Sequence, residues 1–375
     1  MKNNSVLTLK PSISIVVRPS FVVGILYIIL LLFVILARGY SALDFVHLGA
    51  VWAKQGPAGS WGYDGQFYYQ LARDPIHAYQ YMDNAPYRYQ RIFYSLVVAV
   101  LSLGLAPLIP YMMLLVNGLA IVLSVEIMSR LLAKCQLSPW LSLPVGLYFG
   151  QAAAFLFDTA EPFALFLVCA GFCLIVKRRM SWAALCMGLA ALTRDTSVIF
   201  AGGYVAYFLL RKEWKSAALF AGIGVLPILL WLLALRLIFG QSGVTFTPPF
   251  EHSPFAGLFY YSNAPRKFWL LIILLFVPTL MSCLLALSEL IRGRWHQLAL
   301  LGIWLANLYT IVFLNHSSYI DLISSGRIAS CVVVAGLFYG IVTRNKIVLW
   351  CMQYYAFTFF IIFLCIYLRV DSVIL

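Results

Sequence analysis

The side chains in this sequence that could do chemistry are carboxylates and arginines set among aromatic rings. The densest stretch is Gly62-Tyr63-Asp64-Gly65-Gln66-Phe67-Tyr68-Tyr69, inside a polar segment over residues 38–91. That segment holds four acids, Asp44, Asp64, Asp74 and Asp83, and five bases, Arg38, Lys54, Arg73, Arg88 and Arg91. Asp158 and Glu161 stand three residues apart, Thr193-Arg194-Asp195-Thr196 interrupts an apolar run, and Arg327 follows Ser324-Ser325-Gly326. An ionised carboxylate can take a proton from an attacking hydroxyl. Arginine stays charged and grips phosphate oxygens with a planar fork of donors. The two together suit transfer at a phosphate-bearing substrate. The chain has no GxSxG, HExxH or P-loop pattern, so serine hydrolysis, zinc proteolysis and nucleotide hydrolysis find no support.

These residues must be positioned by an apolar framework. The 375 residues are 63% hydrophobic and 10% charged, against about 25% charged in a soluble domain. This predicts an all-α, polytopic transmembrane bundle forming one domain over 1–375, with no room left for a large soluble part. The formal charge of +13 does not point to nucleic acid, because the bases fall in short clusters between apolar runs. The first apolar run, after Lys2, Lys10 and Arg18, reads as an uncleaved signal anchor. None of the eight cysteines forms a CxxC pair, so neither disulfides nor zinc are expected.

Charge decides the topology. Residues 92–105 form a short apolar run that stops at Gly104 and Pro107, and they are expected to lie along the outer interface as a helix after the first external loop. Spans are then expected at 21–37, 108–132, 139–157, 162–176, 181–192, 197–210, 217–239, 268–287, 297–314, 328–342 and 347–368, about eleven in all. This arrangement puts 15 of 26 Lys/Arg but only three of 13 acids, Glu126, Glu213 and Glu289, on the cytoplasmic side. Letting 92–105 cross would invert every later basic cluster, against the positive-inside rule. The amino terminus and Lys177–Arg179 are therefore expected inside, and Asp158 and the carboxyl terminus outside. The arms 181–192 and 197–210 are short, so Thr193–Thr196 is expected inside the bundle, where an ionisable pair is a functional candidate. The plainer alternative is an Arg194–Asp195 pair that satisfies only itself. The external loop at 240–266, with Glu251 and His252, is long enough to be a lid or an acceptor surface.

Arg88 and Arg91 are expected on one face if the interfacial helix extends back over them. Arg327 is expected to open a span at its amino-terminal end, a favourable place for an anion. Asp64 is the first candidate for a general base, with Asp44 and Glu161 as competitors. Gly65 after Asp64 would let the backbone pass close to a ligand. The ordinary alternative for Asp64 is to cap the helix that begins near Gln66.

Tyr63-Asp64-Gly65-Gln66-Phe67-Tyr68-Tyr69-Gln70-Leu71-Ala72 is similar to the Trp-Asp-x-x-His-Phe/Tyr-x-x-Ile-Ala motif of the GPI mannosyltransferase type. Asp158–Pro162 resembles a second-loop acidic motif, and Leu192-Thr193-Arg194-Asp195-Thr196 a following Thr-Arg motif. With the order span, acidic loop, interfacial helix and two spans, the chain resembles the GT-C superfamily of integral membrane glycosyltransferases. The YDGQFYY and YRYQR patterns also resemble bacterial cell-surface glycopolymer formation proteins. Gln66 and Ser95 stand where those motifs carry histidine and proline.

The resemblance implies a GT-C-like fold in a bacterial inner membrane, with an extracytoplasmic active site. It implies inverting transfer of a sugar from a polyprenyl-phosphate donor to a glycan or glycolipid acceptor. Asp64, with Glu161, Asp158 and Asp44, is then expected to be catalytic. Arg88, Arg91, Arg194 and Arg327 are expected on the donor phosphate, and Tyr63, Gln66, Tyr68, Tyr69, Asp195 and His252 on substrate. Membrane lipids are expected partners, and no motif calls for a cofactor, a divalent ion at the acids being left open. Two other readings stay open: a multi-span polysaccharide polymerase, and a lipid-linked sugar flippase or transporter. The latter would pair broken helices near the midplane, and only Thr193–Thr196 fits.

Overall fold

In a computed structural model, residues 18–293 and 298–367 are described. Lys2, Lys10, Arg294 and the carboxyl-terminal residues used for the topology lie outside them. The described residues are helical, with no strand among them. Six helices are long and apolar enough to cross a membrane: Pro19–Arg38, Ala106–Lys134, Trp214–Phe239, Pro265–Ile291, Leu322–Thr343 and Lys346–Leu364. The chain is thus a multi-helix bundle compatible with a multi-pass membrane protein. Leu322–Thr343 is its central post; its own Phe338 and Tyr339 are fully buried, as are Trp304 and Tyr355 from other helices.

Local chemistry sets the helix limits. Proline begins the first long helix, where its missing N–H is harmless, and Gly39 ends it at φ +69° with its N–H donating to the Ile35 carbonyl. In Trp214–Phe239 and Pro265–Ile291 a π-helical turn, Phe220–Val225 or Ile272–Phe276, runs into Pro227 or Pro278. A proline inside a helix removes a bond to the preceding turn, and the widened turn absorbs it.

One expected span changes character, and the run expected to lie along the interface stays short. The run 139–157 is not one helix but three pieces, Pro139–Ser142, Leu143–Gly146 and Phe149–Leu156, broken where Tyr148 turns extended. Pro144 and the close approach of Gly150 to the Gly326 carbonyl favour packing against Leu322–Thr343 over a continuous rod. The run 92–105 is a ten-residue helix, Ile92–Leu101, about 15 Å long and too short to cross.

The element order gives the bundle two chemically different ends. Glu161–Val176 runs from Glu161 to the turn at Lys177–Arg179, and Met180–Thr193 returns to Arg194. Val198–Leu210 then runs down to Arg211. Arg18 pairs with Glu126 at 3.1 Å, which puts the start of the first helix beside Arg130, at the end without the candidate site.

Candidate functional site

The loop after the first helix folds back on itself before it reaches Asp64. Gly62 sits at φ +68°, and a Cβ there would meet the His47 carbonyl at 2.5 Å. A Cβ on Gly65 would meet the Phe157 carbonyl at 2.5 Å. The close neighbour that requires glycine at 65 is therefore the second loop. His47 stacks on Phe157 with ring centroids 4.2 Å apart, and burial lowers its pKa to about 4, so it is neutral at pH 7. This seam locks the Asp64 loop to the Glu161 loop.

Asp64 precedes the helix Gly65–Arg73 but makes no capping bond. Its carboxylate turns instead to two arginines. Arg88 Nη1 donates to Oδ1 at 2.8 Å, and Arg327 Nη2 donates to Oδ2 at 2.6 Å across 263 residues of chain. The capping alternative is thereby removed. Arg88 also forks onto Asp83 at 2.8 and 2.7 Å and lies 4.1 Å over the Phe67 ring. Arg327 continues to Glu161 at 3.7 Å, and Glu161 lies 3.3 Å from Arg194. Arg194 lies 4.0 Å from Asp195, which accepts from Arg91 Nε and Gln90 Nε2, both at 3.1 Å. Four arginines and four carboxylates thus alternate in one chain from Asp83 to Arg91. Because Arg194 reaches Glu161, the Arg194–Asp195 pair does not satisfy only itself.

Electrostatics follow from this order. Burial alone would push the Asp64 carboxyl up, but Arg88 and Arg327 outweigh it and hold the group well below the usual carboxylate range. Asp64 is therefore ionised at neutral pH. Deeper in, Arg194 Nη1, Arg327 Nε and Nη1, and both Glu161 oxygens are buried without an aligned hydrogen bond. Beside them is a small cavity lined by Glu161, Arg194, Thr196, Ser197, Arg327 and Cys331. Buried guanidinium donors without acceptors are energetically poised to take an anionic oxygen.

Arg91 also donates to the Tyr87 hydroxyl at 2.8 Å, and Trp231 Nε1 donates to the Tyr89 carbonyl at 2.9 Å. The 240–266 loop presses on the same segment. A Cβ on Gly243 would meet the Pro86 carbonyl at 2.6 Å. The far end of the loop is tied by Glu251 N–H to the Phe313 carbonyl and by Glu251 to the His316 ring at 3.0 Å. It therefore covers one flank of the arginines.

Several expected site residues take other places. Arg88 and Arg91 do not share a helix face, because the short helix Ala85–Tyr89 ends before Ile92–Leu101 begins and Arg91 is not helical, so they serve different carboxylates. Arg327 does not open its helix. Leu322 does, capped by Asp321 through the Ser324 N–H, which puts Arg327 in the second turn. Asp44 is exposed and closes a capping box with Ser41 at 2.6–2.7 Å, a local structural role.

Gln66 spends both ends of its amide on the loop, accepting from Gly49 N–H at 3.1 Å and donating to the Trp61 carbonyl at 2.8 Å. Tyr69 points to a separate surface groove with Ser41, Arg73 and Pro107. His252 is exposed beside Glu251, and His316 makes the bond. Asp158 is fully buried at φ +46°, and among the described residues neither of its oxygens has a hydrogen-bond partner. Burial pushes its pKa well up, so it stands apart from the arginine chain.

Tyr63 and Tyr68 remain by the site. The Tyr63 hydroxyl donates to Asp321 at 3.1 Å and its ring lies 5.0 Å from the Arg327 guanidinium. Tyr68 packs edge-on to Tyr94 and feels the charges of Arg91, Glu161 and Arg194. The residues not foreseen are Asp83, Tyr87, Gln90 and Asp321. Asp83, five residues before Arg88, was visible as a neighbouring charge. Nothing local announces Gln90. Among the described residues no group of three or more His, Cys, Asp or Glu is placed to hold a metal ion. Compared with known proteins, the chain matches no protein-family model, no curated protein and no solved structure.

Proposed function

We propose that the protein is an integral membrane glycosyltransferase of GT-C type that moves a sugar, with inversion, from a polyprenyl-phosphate donor to an extracytoplasmic glycan or lipid acceptor. The observation that carries this reading is the ionised Asp64 carboxylate held between Arg88 and Arg327 at one end of an alternating acid–arginine chain. Asp64 takes the proton of the acceptor hydroxyl. The hydroxyl oxygen forms the new bond to the anomeric carbon, and the bond to the donor phosphate breaks with its electron pair going to the phosphate oxygen. Arg88, Arg91, Arg194 and Arg327 surround the charge that develops there.

A carboxylate gripped by two guanidinium groups is a weak base at rest. Donor phosphate competes for the same arginines, lowers their pull on Asp64 and raises its basicity as the substrate arrives. In this reading the five shorter or broken apolar elements, 139–156, Glu161–Val176, Met180–Thr193, Asp195–Leu210 and Ala299–Val312, join the six long helices to make eleven crossings. Lys177–Arg179 is then cytoplasmic, and the Asp64 end faces out of a bacterial inner membrane.

The test is a transfer assay on membranes holding the protein, with a panel of radiolabelled polyprenyl-phosphate sugars. Label should pass to a glycan or lipid acceptor from at least one donor, and Asp64→Asn should stop it at equal protein abundance. Full activity in Asp64→Asn, Glu161→Gln and Asp44→Asn alike would remove the glycosyltransferase reading.

A further inference from the structure

The end of the bundle opposite Asp64 carries a second candidate ligand site. There the helices Glu161–Val176, Val198–Leu210, Leu298–Val312 and Leu322–Thr343 leave a cleft of about 640 Å³. This is within the range of clefts that enclose an organic ligand. Its walls are apolar, from Phe172, Tyr204, Phe208 and Leu300, and its mouth carries Arg178 and Arg211. Val176 and Val342, which also line it, are 51% and 42% exposed, so the cleft opens beside an apolar outer surface.

The charge at the mouth is one-sided. The two turns that frame it, 177–179 and 211–215, hold Lys177, Arg178, Arg179, Arg211, Lys212 and Lys215 against one carboxylate, Glu213. Arg211 is held by the Tyr207 hydroxyl at 2.7 Å and by Glu213 at 2.9 Å. The Arg178 guanidinium makes no bond among the described residues, and its backbone is held left-handed at φ +59°.

We propose that this cleft binds one anionic phospholipid, its acyl chain against the aromatic wall and its phosphate at Arg178 and Arg211. A free inorganic anion would make no use of the apolar depth, and a zwitterionic lipid would make less use of the cations. Basic mouths between membrane helices favour acidic headgroups for this reason. The site is separate from the Asp64 array and does not depend on what that array does.

The experiment is native mass spectrometry of the intact protein in mild detergent, titrated with phosphatidylglycerol, with phosphatidylcholine, and with phosphatidylglycerol in excess inorganic phosphate. Wild type should retain phosphatidylglycerol about tenfold better than phosphatidylcholine, and Arg178→Gln should reduce that preference about fivefold. Adding Arg211→Gln should abolish it. Val342→Trp, which narrows the cleft from an exposed position, should weaken both lipids while leaving the thermal melt unchanged. Equal retention of the two lipids by wild type, an unchanged preference in the double variant, or full displacement by inorganic phosphate would each overturn the proposal.

Discussion

Asp64 and Asp158 are both loop carboxylates just ahead of a helix, and each stands at the edge of a suggestive motif. Their environments are opposite. Asp64 meets two guanidinium groups at 2.8 and 2.6 Å and is held ionised. Asp158 is more deeply buried, meets no donor among the described residues and is pushed toward its neutral form. Three residues beyond Asp158, Glu161 belongs to the arginine chain. Asp158 itself sits at a left-handed backbone position, φ +46°. Closeness in sequence therefore brings a carboxylate near the site without putting it in the site.

The largest expected effect tests that contrast directly. Asp64→Asn should lower the initial transfer rate by about 10²–10⁴-fold, the range of positioned base catalysis. Asp158→Asn should leave the rate within a factor of about two, since burial already favours the neutral form of that side chain and no donor among the described residues meets it. Equal losses in both would break the distinction.

Next is the residue that joins the two loops to the later helices. Glu161→Gln leaves Arg194 and Arg327 as buried charges facing each other across a neutral group. Breaking such a pair typically removes about 3–5 kcal/mol of stability. The thermal midpoint in detergent should fall clearly below that of wild type. Replacing Glu161 by Asp should recover part of the loss, because the charge returns at shorter reach.

A smaller effect is expected at the edge of the array. Arg88→Ala removes its bond to Asp64 and its fork onto Asp83, while Arg327 keeps its hold on Asp64; one lost charge-assisted bond to a donor phosphate is worth about 1.5–3 kcal/mol. The donor concentration for half-maximal transfer should rise about tenfold or more, with acceptor dependence unchanged. An unaltered donor requirement would take Arg88 out of phosphate binding.

The mildest test reads the two aspartates through pH. Asp64 has a depressed pKa in the fold, so its stabilisation is present above the unfolded value of about 3.9 and is lost as pH falls through and below it. Asp158 has a raised one, so the fold weakens as pH climbs above about 3.9, until that carboxyl ionises in place. Melting curves from pH 2 to 7 should therefore diverge in opposite senses, the Asp64 difference developing below about pH 4 and the Asp158 difference above it. Relative to wild type, Asp64→Asn loses stability as pH rises and Asp158→Asn gains it. Parallel curves would show that the two carboxyls share an environment.

Residue types alone were enough to single out Asp64, Glu161, Arg194 and Arg327, because a charge within an apolar chain is costly unless it is paired or used. The apolar runs were enough to predict a multi-helix bundle, and the basic clusters between them to set 92–105 apart from the expected spans. Partner choice was not legible. Gln66 and Tyr69 sit in the motif itself, yet one sustains the loop and the other faces a different groove. Asp44 caps its own turn, and His252 yields its place to His316. In each case the deciding fact is the direction of a side chain, set by how its short helix or loop packs rather than by residue type.

What the sequence by itself determined is therefore a composition and an order: helices too apolar for water, bases gathered at turns, and acids and arginines kept for a few interruptions. Only the tertiary structure decided which acid meets which arginine. Asp64 and Arg327 are 263 residues apart and become neighbours because a glycine lets the first loop touch the Phe157 carbonyl and because the last part of the chain supplies the buried central post. Hydrophobic burial is non-directional and can be read from a pattern, whereas a charge-assisted bond depends on tenths of an ångström and on angles that exist only after packing is complete.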